Sequence, residues 1–188
     1  MNESEREEII QLTQKYGGDW GLNHTRRLLN LVACIGEGLN YDADAVWTAA
    51  HLHDWGAYAP WAQEGIDHAE RSVQVAAGFL AERSYPENFA SLVLECIEFH
   101  HKGNSGLSLE AVLLSDADAL DFLGVVGVLR DFSKAPKQMR KAFETTQKRS
   151  RTLPAQLCLE KSKEIARERV QQMEELLAAF RDQSFGQF

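Results

Sequence analysis

The chain has 188 residues, 44% of them hydrophobic and 26% charged, and a formal net charge of −8. That is enough chain for one well-buried core. It is too acidic for a nucleic-acid polymer as the principal partner, because neutralising a phosphate backbone takes clustered Lys and Arg.

Cys34, Cys96 and Cys158 stand far apart with no C-x-x-C pair, so they support neither a disulfide framework nor a thiolate zinc site. No run approaches the roughly 18 apolar residues of a membrane span. The acidic opening "MNESEREEII" does not read as a secretory signal, and the expected compartment is cytoplasmic. With four prolines and no Gly/Ser-rich linker, the expectation is a single domain over residues 1–188.

Nearly every segment carries the helical period, and none alternates as a half-buried strand would, so the fold class is all-α. A first helix is predicted from Glu3 to Tyr16, stopping at Gly17-Gly18. A second begins near Leu22 or Asn23 and places Leu28, Leu29, Val32 and Ile35 on one face. Asp42 is a plausible cap for a third helix, which carries Val46, Trp47, Ala50 and His53 and ends before Gly56 and Pro60. After a loop rich in Trp, Tyr and Gly, Asp67 caps a fourth helix, with Glu70 completing a capping-box pattern. Pro86 opens a fifth, which runs through "ENFASLVLECIEFHH", and "KGNSG" is a loop. Ser108 opens a long sixth helix, "SLEAVLLSDADALDFLGVVGVLRDF". Two more follow Pro136, broken near Leu153-Pro154, and the tail "RDQSFGQF" is expected to fray.

The side chains able to do chemistry are His24, the pair His53-Asp54, His68, the pair His100-His101, and Asp116 with Asp118. Imidazole and carboxylate together suit a divalent metal such as zinc, iron, manganese, cobalt or nickel. Neighbours in a regular helix diverge by roughly 100°, so the His-Asp doublet can serve one site only because the chain turns at a helix end. Taken singly, most of these residues have ordinary readings. His24 suits a helix start, His51 a structural position, His68 the residue after a cap, and His101 the edge of a loop. Asp118 differs, because it lies amid Leu114, Leu120, Phe122 and Val125, where an unpaired carboxylate is costly to bury.

In order, "NHTRRLLN", "HLHDWG" and "SDADALD" resemble the HD superfamily of metal-dependent phosphohydrolases, over about Asp19 to Arg130. The family signature is a His, a His-Asp doublet and a distant Asp, all on helices. Here His24 with Arg27 matches an H-x-x-R helix start. "DHAERS" looks like the His-containing helix start after the doublet, and "DADALDFLG" is similar to the D-A-D-x-L-D-x-x-G segment. The resemblance implies an HD-domain-like helical bundle with a metal site between central helices. The metal ligands it implies are His24, His53, Asp54 and Asp118, with Asp116 an orienter and Asp121 a support for the loop. It implies a divalent ion (Mn, Fe, Co, Ni, Zn or Mg) and a second metal or phosphate contact at His68, His100 and His101.

The activity so implied is hydrolysis of a phosphoester in a nucleotide or other small phosphorylated metabolite. Two rivals stand beside it, a dinuclear iron oxygenase of HD type and a non-catalytic helical ligand-binding module. The H-D-x-G-K lysine of several subfamilies is absent from "HDWGAY". Arg27, Asp116 and Lys102 are the candidates for catalysis or substrate binding. Arg27 lies one turn from His24 on the same face and is the candidate phosphate clamp. Arg71 reads as a partner for Asp67. Trp55, Tyr58, Trp61 and Phe99 line either a base-stacking pocket or the loop's own packing. The C-terminal helices, residues 137–183, are expected to pack on the motif core or to form a homodimer contact.

Overall fold

The computed structural model describes residues 1–59, 61–101 and 106–188, and among them it is all-α: eight α-helices, two short 3-10 turns and no strand. The chain divides into two compact units, Met1–Ser115 and Asp116–Phe188.

The first unit opens with α1, Glu3–Ile35. Asn2 caps it in a reciprocal box: its side chain accepts from Glu5 N at 2.9 Å while Glu5 accepts from Asn2 N at 2.7 Å. The expected stop at Gly17-Gly18 is a single-residue break. Gly18 takes φ 60° and ψ −164°, a conformation open in practice only to glycine, and the helix resumes on the far side. Asp42 caps α2, Ala43–Leu52, as predicted, accepting from Ala45 N at 3.0 Å. A 3-10 turn, Trp55–Ala57, leads toward α3, His68–Glu82, where Asp67 accepts from Ala69 N at 2.9 Å. Pro86 precedes α4, Glu87–Phe99. Helix α1 packs on α2, α2 on α4, and α3 on both α4 and the 3-10 turn. Ile9, Leu28, Leu52, Trp55, Leu80 and Ile97 fill the interior.

The predicted long sixth helix is two helices. α5 spans Leu109–Asp121, with the boundary between the units inside it, and α6 spans Gly124–Lys134. Between them Leu123 is extended (φ −102°, ψ 161°) and Gly124 has φ 76°, so the helical backbone cannot continue. Arg169 seals the break by donating to Leu120 O at 2.6 Å.

In the second unit α7, Met139–Thr152, and α8, Glu160–Gln183, both pack on α6, and a 3-10 turn at Leu153–Gln156 marks the predicted break. The tail ends in contact rather than loose, since Phe188 meets the rings of Phe143 and Phe180 at 4.9 and 4.8 Å. None of the described helices is long and apolar enough to cross a membrane.

Candidate metal centre

Helix α2 ends at Leu52, and His53 follows as its C-cap, its N–H still donating to Ala49 O at 2.9 Å. Asp54 leaves helical geometry with ψ 2° and starts the 3-10 turn. The doublet therefore straddles a change of backbone direction, which lets both side chains face one place. His100 holds the same position on α4 that His53 holds on α2, immediately after the last helical residue.

Both C-cap histidines are oriented by their own helix ends. His53 Nδ1 donates to Ala50 O at 2.9 Å and His100 Nδ1 donates to Ile97 O at 2.6 Å. A carbonyl can only accept, so each neutral ring carries its hydrogen on Nδ1 and presents the Nε2 lone pair. His24, His53 and His100 are all buried. His53 Nε2 lies 3.3 Å from His24 Nε2. Asp54 Oδ2 is 3.5 Å from His53 Nε2 and 3.8 Å from His24 Nε2, while its other oxygen, Oδ1, is 3.9 Å from His68 Nε2. His101 Nδ1 is 3.2 Å from His100 Nε2, and His101 stacks on His68 with centroids 5.2 Å apart.

Within the first unit two donor groups result, His53–Asp54–His100 and His68–His100–His101, each with its ligand atoms within 4.8 Å of one another. This donor set fits divalent metal. Imidazole lone pairs converge beside a carboxylate, and the carbonyl bonds at Nδ1 are those that orient and strengthen a ligating histidine. His101 is exposed and the His68 side chain is partly so, which leaves one side of the centre open to solvent.

The turn that carries Asp54 is locked to the start of α3. Gly56 N donates to Ser72 Oγ at 2.8 Å, and a Cβ at position 56 would collide with His68 O and Ser72 N. That contact fixes His68 relative to the doublet. His51 is buried outside the centre: its Nδ1 donates to Trp47 O at 2.9 Å, and burial lowers its pKa to about 4, so it stays neutral. Trp55 is core, with 1% exposure, donating to Thr13 Oγ at 3.1 Å and stacked on Trp61. Arg71 turns from Asp67 and donates to Trp61 O and Gln74 Oε1. Arg27 is half-buried on α1, one turn past His24.

The remaining sequence candidates are described by their own surroundings. Asp118 is buried on the part of α5 that belongs to the second unit. Asp116 is an anchor there, its two oxygens accepting from Cys158 N and Leu159 N at 2.9 Å each. Asp121 pairs with Arg130. Lys102 lies outside the described residues. Tyr58, named from the sequence for a base-stacking pocket or the loop's own packing, lays its ring on α1 at Gly17 and Gly21.

A family model described as "HD domain" matches residues 21–123, more than half of the chain. The chain belongs to the HD domain family. Two solved structures bear on this HD domain at 25% identity. YpgQ from Bacillus subtilis, solved in complex with ADP, has a TM-score of 0.73 and aligns over 96% of this chain and 95% of its own. A "predicted HD superfamily hydrolase" from an uncultured Thermotogales bacterium has a TM-score of 0.68, with 96% and 92% covered. An HD-superfamily hydrolase from Bacillus thuringiensis, 21% identical with 98% of each chain covered and a TM-score of 0.72, shares the fold. None of the curated proteins matches the chain.

Proposed function

We propose that this HD domain is a metal-dependent phosphohydrolase acting on a nucleotide or other small phosphorylated metabolite. The observation that carries the reading is Asp54, whose two oxygens face different histidines, Oδ2 toward His24 and His53 and Oδ1 toward His68. A carboxylate so placed can serve two cations at once, the arrangement suited to clamping a phosphoryl group. The solved complex of YpgQ with ADP supports a nucleotide as the substrate class.

In this reading His24, His53 and Asp54 hold the first cation together with Asp118, assigned from the sequence motif, and His68, His100 and His101 serve the second. A bound divalent ion would polarise a phosphoryl oxygen and acidify a water. The chain's own residues do the rest. His53 and His100 are fixed by carbonyls at Nδ1 and keep their donor direction. His101, exposed beside His100, would supply the leaving oxygen's proton if His68 and His100 alone hold the second cation. Arg27, on the helix of His24, clamps a phosphate oxygen.

The test is direct. Purified protein carries divalent metal, and His53→Ala and Asp54→Ala lose it; full occupancy in both variants sinks the assigned centre. With manganese, cobalt or magnesium added, a panel of phosphorylated metabolites should yield phosphate or a dephosphorylated product from at least one class. A second reading, an iron oxygenase, is favoured by one observation, since His68, His100 and His101 converge as its second metal requires. Oxygen consumption by an iron-loaded sample, with no phosphoester cleaved, would select it.

A further inference from the structure

We propose that one end of the second unit is a docking surface for an anionic lipid bilayer. Phe185 is the side chain that enters the lipid, and Lys137, Arg140 and Lys141 are the cations that meet the headgroup phosphates.

Helix α8 closes in a Schellman turn: Gly186 N donates to Arg181 O at 3.0 Å and Phe185 N to Asp182 O at 3.1 Å. The left-handed position of such a turn ordinarily takes glycine, because a Cβ there is strained. Here it takes Phe185, with φ 54° and 88% of its surface exposed. Glycine would suit the turn better, and a ring so exposed fills no part of the core. Neither backbone nor packing accounts for the residue. The fold holds a large apolar side chain in water against local strain, which has a purpose once another surface covers it.

The start of α7 lies beside that helix end. Phe143 is 6.2 Å from Phe180 and 4.9 Å from Phe188, while Arg140 lies over Phe188 at 5.3 Å and Arg181 over Phe143 at 5.4 Å. Met139, next to Arg140, is a second exposed apolar residue. Between Asp131 and Glu144 the chain carries Lys134, Lys137, Arg140 and Lys141 and no acid, in a protein whose net charge is −8. All four are exposed, and Lys137, Arg140 and Lys141 pair with no acid among the described residues.

A bilayer answers both features at once. Long basic side chains reach its headgroups, and an aromatic ring enters the boundary beneath them. A protein partner would need fixed carboxylates set around a pocket for the phenyl ring. A lipid surface presents phosphate and hydrocarbon without fixed geometry, which matches cations that stand free on flexible stems. None of these residues belongs to the metal centre, so the surface stands whether or not the hydrolase reading does.

The test is cosedimentation of the full chain with vesicles of equal parts phosphatidylserine and phosphatidylcholine, beside vesicles of phosphatidylcholine alone. Binding is expected to the first and not to the second, and to weaken as salt is raised. Phe185→Gly is the discriminating variant. Its thermal midpoint should hold or rise, because glycine suits the turn, while its vesicle affinity falls about tenfold for want of the ring. Lys141→Glu should weaken binding by about fivefold or more. Lys163→Glu changes the net charge equally but lies about 30 Å away along α8, and should leave binding unchanged. Absence of binding to the phosphatidylserine vesicles overturns the proposal, as does equal binding to both kinds. So does an unchanged affinity in Phe185→Gly, or a lowered midpoint there, which would make the ring part of the fold. Equal losses in Lys163→Glu and Lys141→Glu would reduce the effect to net charge and overturn it too.

Discussion

His100 belongs to both donor groups of the centre, while His101 belongs to one. Replacing them should therefore have unequal effects. His100→Ala is expected to lower the divalent metal retained after dialysis, measured by elemental analysis, more than His101→Ala does; equal losses would contradict the shared position. His51 shows what spacing alone could decide. It lies two residues from His53, yet its ring bonds Trp47 O and rests on the Trp47 indole at 3.9 Å. The sequence allowed its exclusion by helical angle. Residue spacing by itself did not group His68, His100 and His101, because their convergence depends on α3 and α4 packing side by side; the family resemblance did group them. The cysteines offer a second check. Burial pushes the Cys96 thiol far up, beside the Glu95 and Glu110 carboxylates, whereas Cys34 is exposed. In the folded protein a thiol reagent at pH 8 should label Cys34 and leave Cys96 untouched until denaturant is added, as read by mass spectrometry of the peptides.

The helices were legible where a side chain writes their ends. Asp42, Asp67 and Pro86 each stand at the predicted start, because a cap needs only its own residue and the next few backbone amides. The break before α6 was not legible. Apolar residues keep helical period straight through "DFLGVVGVL", and the interruption comes from Gly124 in the left-handed region, which periodicity does not record. Gly124→Ala should cost about 1–2 kcal/mol of stability, the penalty of an L side chain in that region. A denaturation midpoint would show this, with an unchanged midpoint counting against the break. Gly56 makes a sharper case. Any side chain there meets the backbone of the first turn of α3 at His68 O and Ser72 N, and the neighbour cannot yield without moving His68. Gly56→Ala is expected to cost about 1–3 kcal/mol, as overpacking does, and also to reduce metal content. A variant destabilised with metal fully retained would separate the turn from the centre.

The candidate centre draws its ligands from every part of the first unit. His24 comes from α1, His53 and Asp54 from the end of α2, His68 from the start of α3, and His100 with His101 from the end of α4. These residues are up to 77 positions apart in the chain, from His24 to His101. A cation held among them adds a further link between helices already joined by apolar packing and a few hydrogen bonds and ion pairs. The unfolded chain cannot present the same donors together, so binding is coupled to folding and stabilises the native state by RT ln(1 + [M]/Kd). With free metal at one hundred times its Kd this amounts to about 2.7 kcal/mol. Stripping the protein with a chelator should therefore lower its thermal midpoint, and returning manganese or cobalt should restore it in proportion to the logarithm of the metal concentration. Asp54→Ala should melt at one temperature whether metal is present or not, because the carboxylate that faces both histidine groups is gone. The sign separates a real centre from a chance cluster of histidines: metal added to a chance cluster would leave the native midpoint where it was, or lower it by binding the unfolded chain.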